Sequence, residues 1–175
     1  MAIMDKNTIK FFMQRNDWQK YICEFIGTFT LVIFAAGALM VDHLTGGGLG
    51  VIGSGIISGL IIAVIIYTIG YISGAHVNPA LSITAVIIGH LELRLLPGYI
   101  ISQMVGSALA GLCLLWTLGN HANIGANIPN YDIGINTGSI IIIEFFLSFI
   151  LMWAVAGVGL DKRAHGPLAG LAVGS

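Results

Sequence analysis

Charge is scarce in this sequence. Lys, Arg, Asp and Glu together make up 9% of its 175 residues, and the net charge is −1. Soluble globular domains carry about 25% charged residues, so the composition excludes an ordinary soluble domain, and the near-neutral balance gives no basis for binding nucleic acid. Apolar residues fill the difference: they make up 57% of the chain, and its mean hydropathy is +0.94. This composition is typical of a membrane protein.

Cysteine is scarce as well. Cys23 and Cys113 both lie within apolar runs, and two cysteines make no disulfide framework, so we interpret both as small buried side chains. Basic residues interrupt the start of the chain before any unbroken apolar core, so we expect no cleavable signal peptide. Residues 1–20 are instead predicted to form an interfacial segment that anchors the N-terminus.

Four apolar runs are long enough to cross a bilayer, which takes about 20 residues. They cover residues 21–41, 49–72, 95–118 and 139–160. A further apolar run begins at Pro167 and continues to Ser175. We therefore predict an all-α membrane protein in which residues 21–175 form a single transmembrane domain.

The basic residues indicate the orientation of these spans. All seven lie before the first run, before the third run or after the fourth run. With four spans, these three places are on one side of the membrane, so the N-terminus is predicted to be cytoplasmic. A plasma membrane and a bacterial inner membrane fit this arrangement equally well.

A polar break separates the second run from the third. Asn78 is a good helix cap, and Pro79 suits the first helical position, where no backbone donor is needed. Apolar sequence then continues only over residues 80–88, too few to cross a bilayer. We predict a re-entrant half-helix that enters from the cytoplasm, with its partially positive N-terminus inside the membrane.

Such a helix end suits a pore. It repels cations and protons while it offers hydrogen-bond donors to a neutral solute. The Asn78 amide adds a donor, and the carbonyls of Gly74, Ala75 and His76 can supply acceptors. His76 has no ligand-forming neighbour at metal-site spacing, so we expect no metal site and no cofactor. The sequence contains no nucleophile–base pair and no phosphate-binding loop, so we do not expect an enzyme.

The sequence contains an internal repeat. Residues 24–31 match residues 144–151, and residues 55–60 match residues 166–171. Three spans separate the starting points of the copies, so the copies are predicted to have opposite orientations in the membrane. Channels and transporters build central sites from inverted repeats with broken helices. The second repeat is incomplete here, because its half-helix is missing.

Glu24 and Glu144 occupy the same position in the two copies, each within a span. A carboxylate there is costly unless it is paired or faces protein or water. We favour a structural role, in which each glutamate braces a non-helical loop by accepting backbone hydrogen bonds. Two alternatives remain open: a secondary transporter with Glu24 or Glu144 as proton carrier, and a non-conducting structural subunit.

The segment Ser73-Gly74-Ala75-His76-x-Asn78-Pro79-Ala80 closely resembles the first signature motif of the aquaporin and glycerol-facilitator family, the major intrinsic proteins. The resemblance covers nearly the whole chain, including the Glu-x-x-x-Thr pattern of the first span and Gln103 of the third. It implies a bundle of six spans and two opposed half-helices. It also implies one passive pore per subunit of a homotetramer, which passes water and small neutral solutes.

The chain departs from the family pattern in two ways. The second Asn-Pro-Ala motif and the arginine that follows it are absent before Ser175, so we expect a C-terminally truncated chain, with a natural half-channel as the alternative. Ser58 lies twenty residues before Asn78, where the family usually has an aromatic filter residue. A serine there predicts a wider filter, similar to that of nodulin-like intrinsic proteins, which pass glycerol, urea or metalloid acids. Helix packing beside Gly55 and Gly59 is the alternative role.

Overall fold

The computed structural model describes residues 16–160 and 168–175. Most of the predicted interfacial segment, residues 1–20, therefore lies outside the described residues. Its last residues begin the first helix. Within the described ranges every regular element is helical, and the prediction of an all-α membrane protein is confirmed.

The helices are α1 Asp17–Leu44, α2 Gly50–Ser73, α3 Pro79–Ile87, α4 Leu96–Leu118, α5 Thr137–Ala154 and α6 Ala169–Gly174. A 3-10 turn, Leu93–Leu95, leads into α4, and α5 continues as a π-helical turn, Val155–Leu160. Within the described residues, α1, α2, α4 and α5 are long and apolar enough to cross a membrane. These four helices match the predicted spans to within a few residues, apart from the π-helical end of the last.

Helix α1 is the centre of the packing, with α2 on one side and α4 on the other. Glycines allow the close approach. A Cβ atom at Gly106 of α4 would lie 2.6 Å from the Phe25 carbonyl oxygen of α1, and one at Gly27 would lie 2.7 Å from Ile69 Cδ1 of α2. Small residues at such contacts let helix backbones pack closely in a membrane, where no hydrophobic force drives helices together.

Helix α3 is short and turns back sharply at its end. Gly89 adopts a left-handed conformation (φ +76°), and the N–H groups of His90 and Leu91 both donate to the Ala85 carbonyl at 2.8 and 3.0 Å. The Arg94 guanidinium contacts the Asp17 carboxylate of α1. The chain after α3 is therefore held against the first turn of α1, as the predicted half-helix requires.

Helix α5 lies apart from this core. None of its residues is buried, and residues 141–150 are all exposed. Helix α6 packs directly on α2, and the backbones of Gly59 and Gly174 are in contact there. The predicted small-residue contact at Gly59 is thus present, whereas a Cβ atom at Gly55 would meet nothing within 4 Å.

Candidate functional site

The carboxylate of Glu24 holds the loop of residues 74–78, hereafter the re-entrant loop, which joins α2 to α3. Oε1 accepts hydrogen bonds from Ser73 Oγ at 2.7 Å and from the His76 N–H at 2.9 Å. Oε2 accepts from the Val77 N–H at 2.7 Å and from Gln103 Nε2 at 2.8 Å. The Glu24 side chain has no solvent exposure, so these four donors offset the cost of burying its charge.

These contacts also decide where the loop carbonyls point. In a trans peptide the N–H of one residue and the C=O of the preceding residue point in opposite directions. Since the His76 and Val77 N–H groups point at Glu24, the carbonyls of Ala75 and His76 point away from it. The Ala75 N–H donates to Ser73 Oγ at 3.1 Å, so the Gly74 carbonyl points away from that hydroxyl. Three successive acceptors therefore lie on the side of the loop opposite Glu24.

The loop backbone is strained. Gly74 has φ +92°, which is easy for glycine, but Ala75 has φ +49° and Val77 has φ +43°. A β-branched residue at positive φ is a genuine outlier, and such strain persists only where the surroundings impose it. The hydrogen bonds from the His76 and Val77 N–H groups to Glu24 help to hold the loop in this conformation. Nothing in the sequence around Val77 indicates its left-handed conformation.

Asn78 begins α3 in the way the sequence predicted. Its backbone is extended, and its Oδ1 accepts from the Ala80 N–H at 2.8 Å. This bond orients the side chain and leaves the Nδ2 donors for other partners. The Asn78 carbonyl accepts from the Ser82 N–H at 3.0 Å and from Ser82 Oγ at 3.1 Å. The side chain and the backbone carbonyl of Asn78 are thus both held by the first turn of α3.

Helix α4 supports this arrangement through two buried side chains. Gln103 uses both amide hydrogens, one on Glu24 and the other on Ser82 Oγ at 3.0 Å. One turn earlier, Tyr99 donates its hydroxyl to the Ser73 carbonyl at 2.7 Å, and its ring lies 5.3 Å from the His76 ring. Ser82 and Tyr99 belong to the site although neither was predicted from the sequence. The only local signal was that Ser82 follows Asn78 by one helical turn.

Two cavities border the re-entrant loop. One has a volume of about 220 Å³ and is lined by loop residues together with Ile62 of α2 and Leu151 of α5. The other has a volume of about 590 Å³ and extends from the loop towards Lys20 and His90, near the start of α1. Both are lined by Gly74 and His76. The two cavities thus lie on either side of the same loop residues, with Asn78 at the smaller one and Lys20 at the larger one.

The predicted pore residues are distributed unevenly around these cavities. The smaller cavity is bordered by Gly74, Ala75, His76, Asn78 and Ala80. Pro79 and Ser58 border neither cavity. Ser58 lies one turn from Ile62, which does line the smaller cavity, and its hydroxyl donates to the Ser54 carbonyl at 2.9 Å. The roles assigned to these residues stay predictions.

Glu144 is placed very differently from Glu24. It is exposed on α5, and among the described residues no loop accompanies it as the re-entrant loop accompanies Glu24. The equivalence of the two carboxylates in the sequence is therefore not matched by equivalent surroundings. The bracing role of Glu144 stays a prediction.

Comparison with known proteins gives a consistent result. Residues 12–175 match the family model "Major intrinsic protein". The chain is 39% identical over 161 residues to "Aquaporin NIP1-1" of Arabidopsis thaliana, which covers 90% of this chain and 54% of that protein. It is 42% identical to "Probable aquaporin NIP-type" of Nicotiana alata (89% and 56% covered) and 36% identical to "Nodulin-26" of Glycine max (90% and 57% covered). The chain thus spans about half the length of these curated relatives.

Proposed function

Because this chain belongs to the major intrinsic protein family, we propose that it forms a passive channel for water and small uncharged solutes. One observation carries the proposal. The Glu24 carboxylate accepts the His76 and Val77 N–H groups, and this turns the carbonyls of the re-entrant loop towards the side away from Glu24. A row of acceptors followed by the Asn78 amide donor can replace the hydrogen bonds that a small solute makes with water.

The electrostatics of this arrangement favour neutral solutes. The N-terminus of α3 carries a partial positive charge from its unpaired N–H groups. Asn78, Pro79 and Ala80 form that end, and Asn78 and Ala80 border the smaller cavity. A cation that approached the helix end would be repelled, whereas a neutral molecule would gain a donor. We therefore propose pore-lining roles for Gly74, Ala75, His76, Asn78, Pro79 and Ala80.

The contacts of Glu24 argue against a proton-coupled transporter. A proton carrier must exchange its proton with water on each side. Glu24 has no exposure, borders neither cavity and accepts four hydrogen bonds. Protonation would place a hydrogen where a donor already lies, and it would cost one of these bonds. We assign Glu24 to bracing the re-entrant loop, and Glu144 to the corresponding task in the second repeat.

Membership of the family also supports proposals for the solute range and for the assembly. Its relatives here include nodulin-like aquaporins, and the small Ser58 side chain suits a filter wide enough for glycerol, urea or metalloid acids. We propose a pore of six spans and two half-helices within each subunit of a homotetramer. We also propose that the N-terminus is cytoplasmic, in a plasma membrane or a bacterial inner membrane, because the basic residues share one side.

Solute flux tests the proposal. The full-length gene product is reconstituted in proteoliposomes, and osmotic shrinkage is followed by stopped-flow light scattering with water, glycerol, urea and boric acid, with and without a proton gradient. A channel gives flux above empty liposomes that is the same in both conditions. Accumulation driven by the gradient would instead establish a transporter, and flux no greater than that of empty liposomes would establish a non-conducting subunit.

The intact mass of the natural product is needed to interpret the flux measurement. The present chain has a mass of 18.5 kDa. A natural product of this mass would have to form its pore from more than one chain. A product larger by several spans would carry the second half-helix itself.

A further inference from the structure

Two histidines meet at the end of the molecule opposite Lys20. His43 lies in the last turn of α1, and His121 follows the end of α4 at Leu118. Their ring centroids are 5.9 Å apart, and the ring planes differ by 37°. His43 is exposed and His121 is half-buried. The two side chains are therefore neighbours that solvent can reach, although they come from different segments of the chain.

The backbone on both sides of this pair is fixed. After α1, the Asp42 carboxylate accepts from the N–H groups of Leu49 and Gly50, each at 2.8 Å. After α4, Ala122–Gly125 forms a left-handed turn, and Gly125 packs directly against the Ala36 carbonyl of α1. Both histidines thus project from anchored segments, so they do not have to be brought together when a ligand binds.

The spacing of the rings suits one shared metal ion. Imidazole nitrogens bind Zn²⁺ at about 2.0–2.1 Å in tetrahedral geometry, and this places the centroids of two ligating rings roughly 5 Å apart. The observed 5.9 Å is close enough for small side-chain rotations to complete the geometry. Within the described residues, no group of three or more His, Cys, Asp or Glu side chains could hold a metal. The site therefore offers two protein ligands, and water must fill the other positions.

We propose that His43 and His121 together chelate one divalent transition-metal ion that favours imidazole, namely Zn²⁺, Ni²⁺ or Cu²⁺. Hard cations such as Mg²⁺ and Ca²⁺ prefer oxygen ligands and are not expected to bind. The bound ion ties the connection between α4 and α5 to the end of α1. On the orientation proposed above, the site faces the exterior. Metal binding at this pair does not depend on solute flux, because the site lies outside the re-entrant loop.

Metal titration of the purified, tag-free chain in detergent tests the site. Isothermal titration calorimetry with Zn²⁺ alone and with Ni²⁺ alone is expected to show one ion per chain. His43→Ala and His121→Ala should each weaken binding by at least about tenfold, and the double variant should bind more weakly still, because it keeps no imidazole at the site. His90→Ala is the matched control, because His90 is also exposed but borders the larger cavity near Lys20. It should bind as the wild type does.

Cu²⁺ electron paramagnetic resonance gives an independent readout. Nitrogen couplings from two imidazoles are expected in the wild type and in His90→Ala, and from one imidazole in each single variant. Circular dichroism and gel filtration identify any variant that fails to fold, and His43→Gln and His121→Gln then replace the alanine variants. Unchanged affinity in both single variants would overturn the proposal. So would a loss of half the bound metal in each, since that would mean two separate one-histidine sites.

Discussion

Gln103 of α4 donates a hydrogen bond to Glu24 of α1 at 2.8 Å, and neither side chain is more than 1% exposed. The second amide hydrogen of Gln103 goes to Ser82 Oγ, at the start of α3. One residue of α4 therefore connects the carboxylate that holds the re-entrant loop with the half-helix that follows it. The loop and the half-helix are positioned as one unit between α1 and α4.

Glu24→Gln should destabilise the protein strongly. A glutamine amide has only one acceptor oxygen, so its NH₂ group would face two of the four donors that now bind the carboxylate. Each buried donor left unpaired costs about 1–3 kcal/mol, which predicts a loss of roughly 2–6 kcal/mol in the free energy of unfolding. Thermal unfolding in detergent measures it.

The control for this prediction is Asp132→Asn, the same change from an acid to an amide outside the site. Asp132 is exposed in the connection between α4 and α5, and substitutions at such positions usually change stability by less than about 0.5 kcal/mol. Equal stability of Glu24→Gln and the wild type would show that the carboxylate does not hold the re-entrant loop.

Gly106→Ala should separate α1 from α4. A Cβ atom at residue 106 would lie 2.6 Å from the Phe25 carbonyl oxygen and 3.2 Å from the Phe29 nitrogen. Because these are backbone atoms, they cannot move aside as a side chain can, and overpacking of this kind costs about 1–3 kcal/mol. Chemical denaturation in mixed micelles should show the loss.

Gly111 provides a matched control on the same helix, since a Cβ atom there meets nothing within 4 Å. Gly111→Ala should leave stability unchanged or raise it slightly, because alanine favours helix. If the two variants lost the same stability, the close approach at Gly106 would not be what the substitution disturbs.

How much of this could be predicted from the sequence depends on the range of the interaction. The spans and the half-helix follow from local patterns: runs of apolar residues, and the Asn78 cap before Pro79. Pairing of Gln103 with Glu24, or of His43 with His121, depends on how α1 and α4 pack. Gly106 determines that packing, and its neighbour on α1 cannot be read from spacing. The strained backbone at Val77 was also hidden, because a β-branched residue gives no sign of positive φ.

Asn78→Asp and Asn78→Ala should separate the two roles of Asn78. Aspartate keeps the oxygen that caps α3 at the Ala80 N–H but loses the amide donor and adds negative charge. Alanine loses the cap as well, at a cost of about 1 kcal/mol. We expect Asn78→Asp to retain stability yet lose most solute flux in proteoliposomes, and Asn78→Ala to lose both. Full glycerol or water flux in Asn78→Asp would show that solute passage does not need the Asn78 amide donor.

Ser58→Trp in the full-length gene product should narrow the pore. Ser58 lies one turn from Ile62, which borders the smaller cavity, so a large ring there is expected to extend into the solute path. Passage of glycerol and boric acid should fall more than that of water, because a narrower constriction excludes larger molecules first. Ile56→Trp is the matched control, since Ile56 is 56% exposed on the same helix and its replacement should leave the solute ratios unchanged. Equal ratios in Ser58→Trp and the wild type would place the filter elsewhere and leave Ser58 as a packing residue of α2.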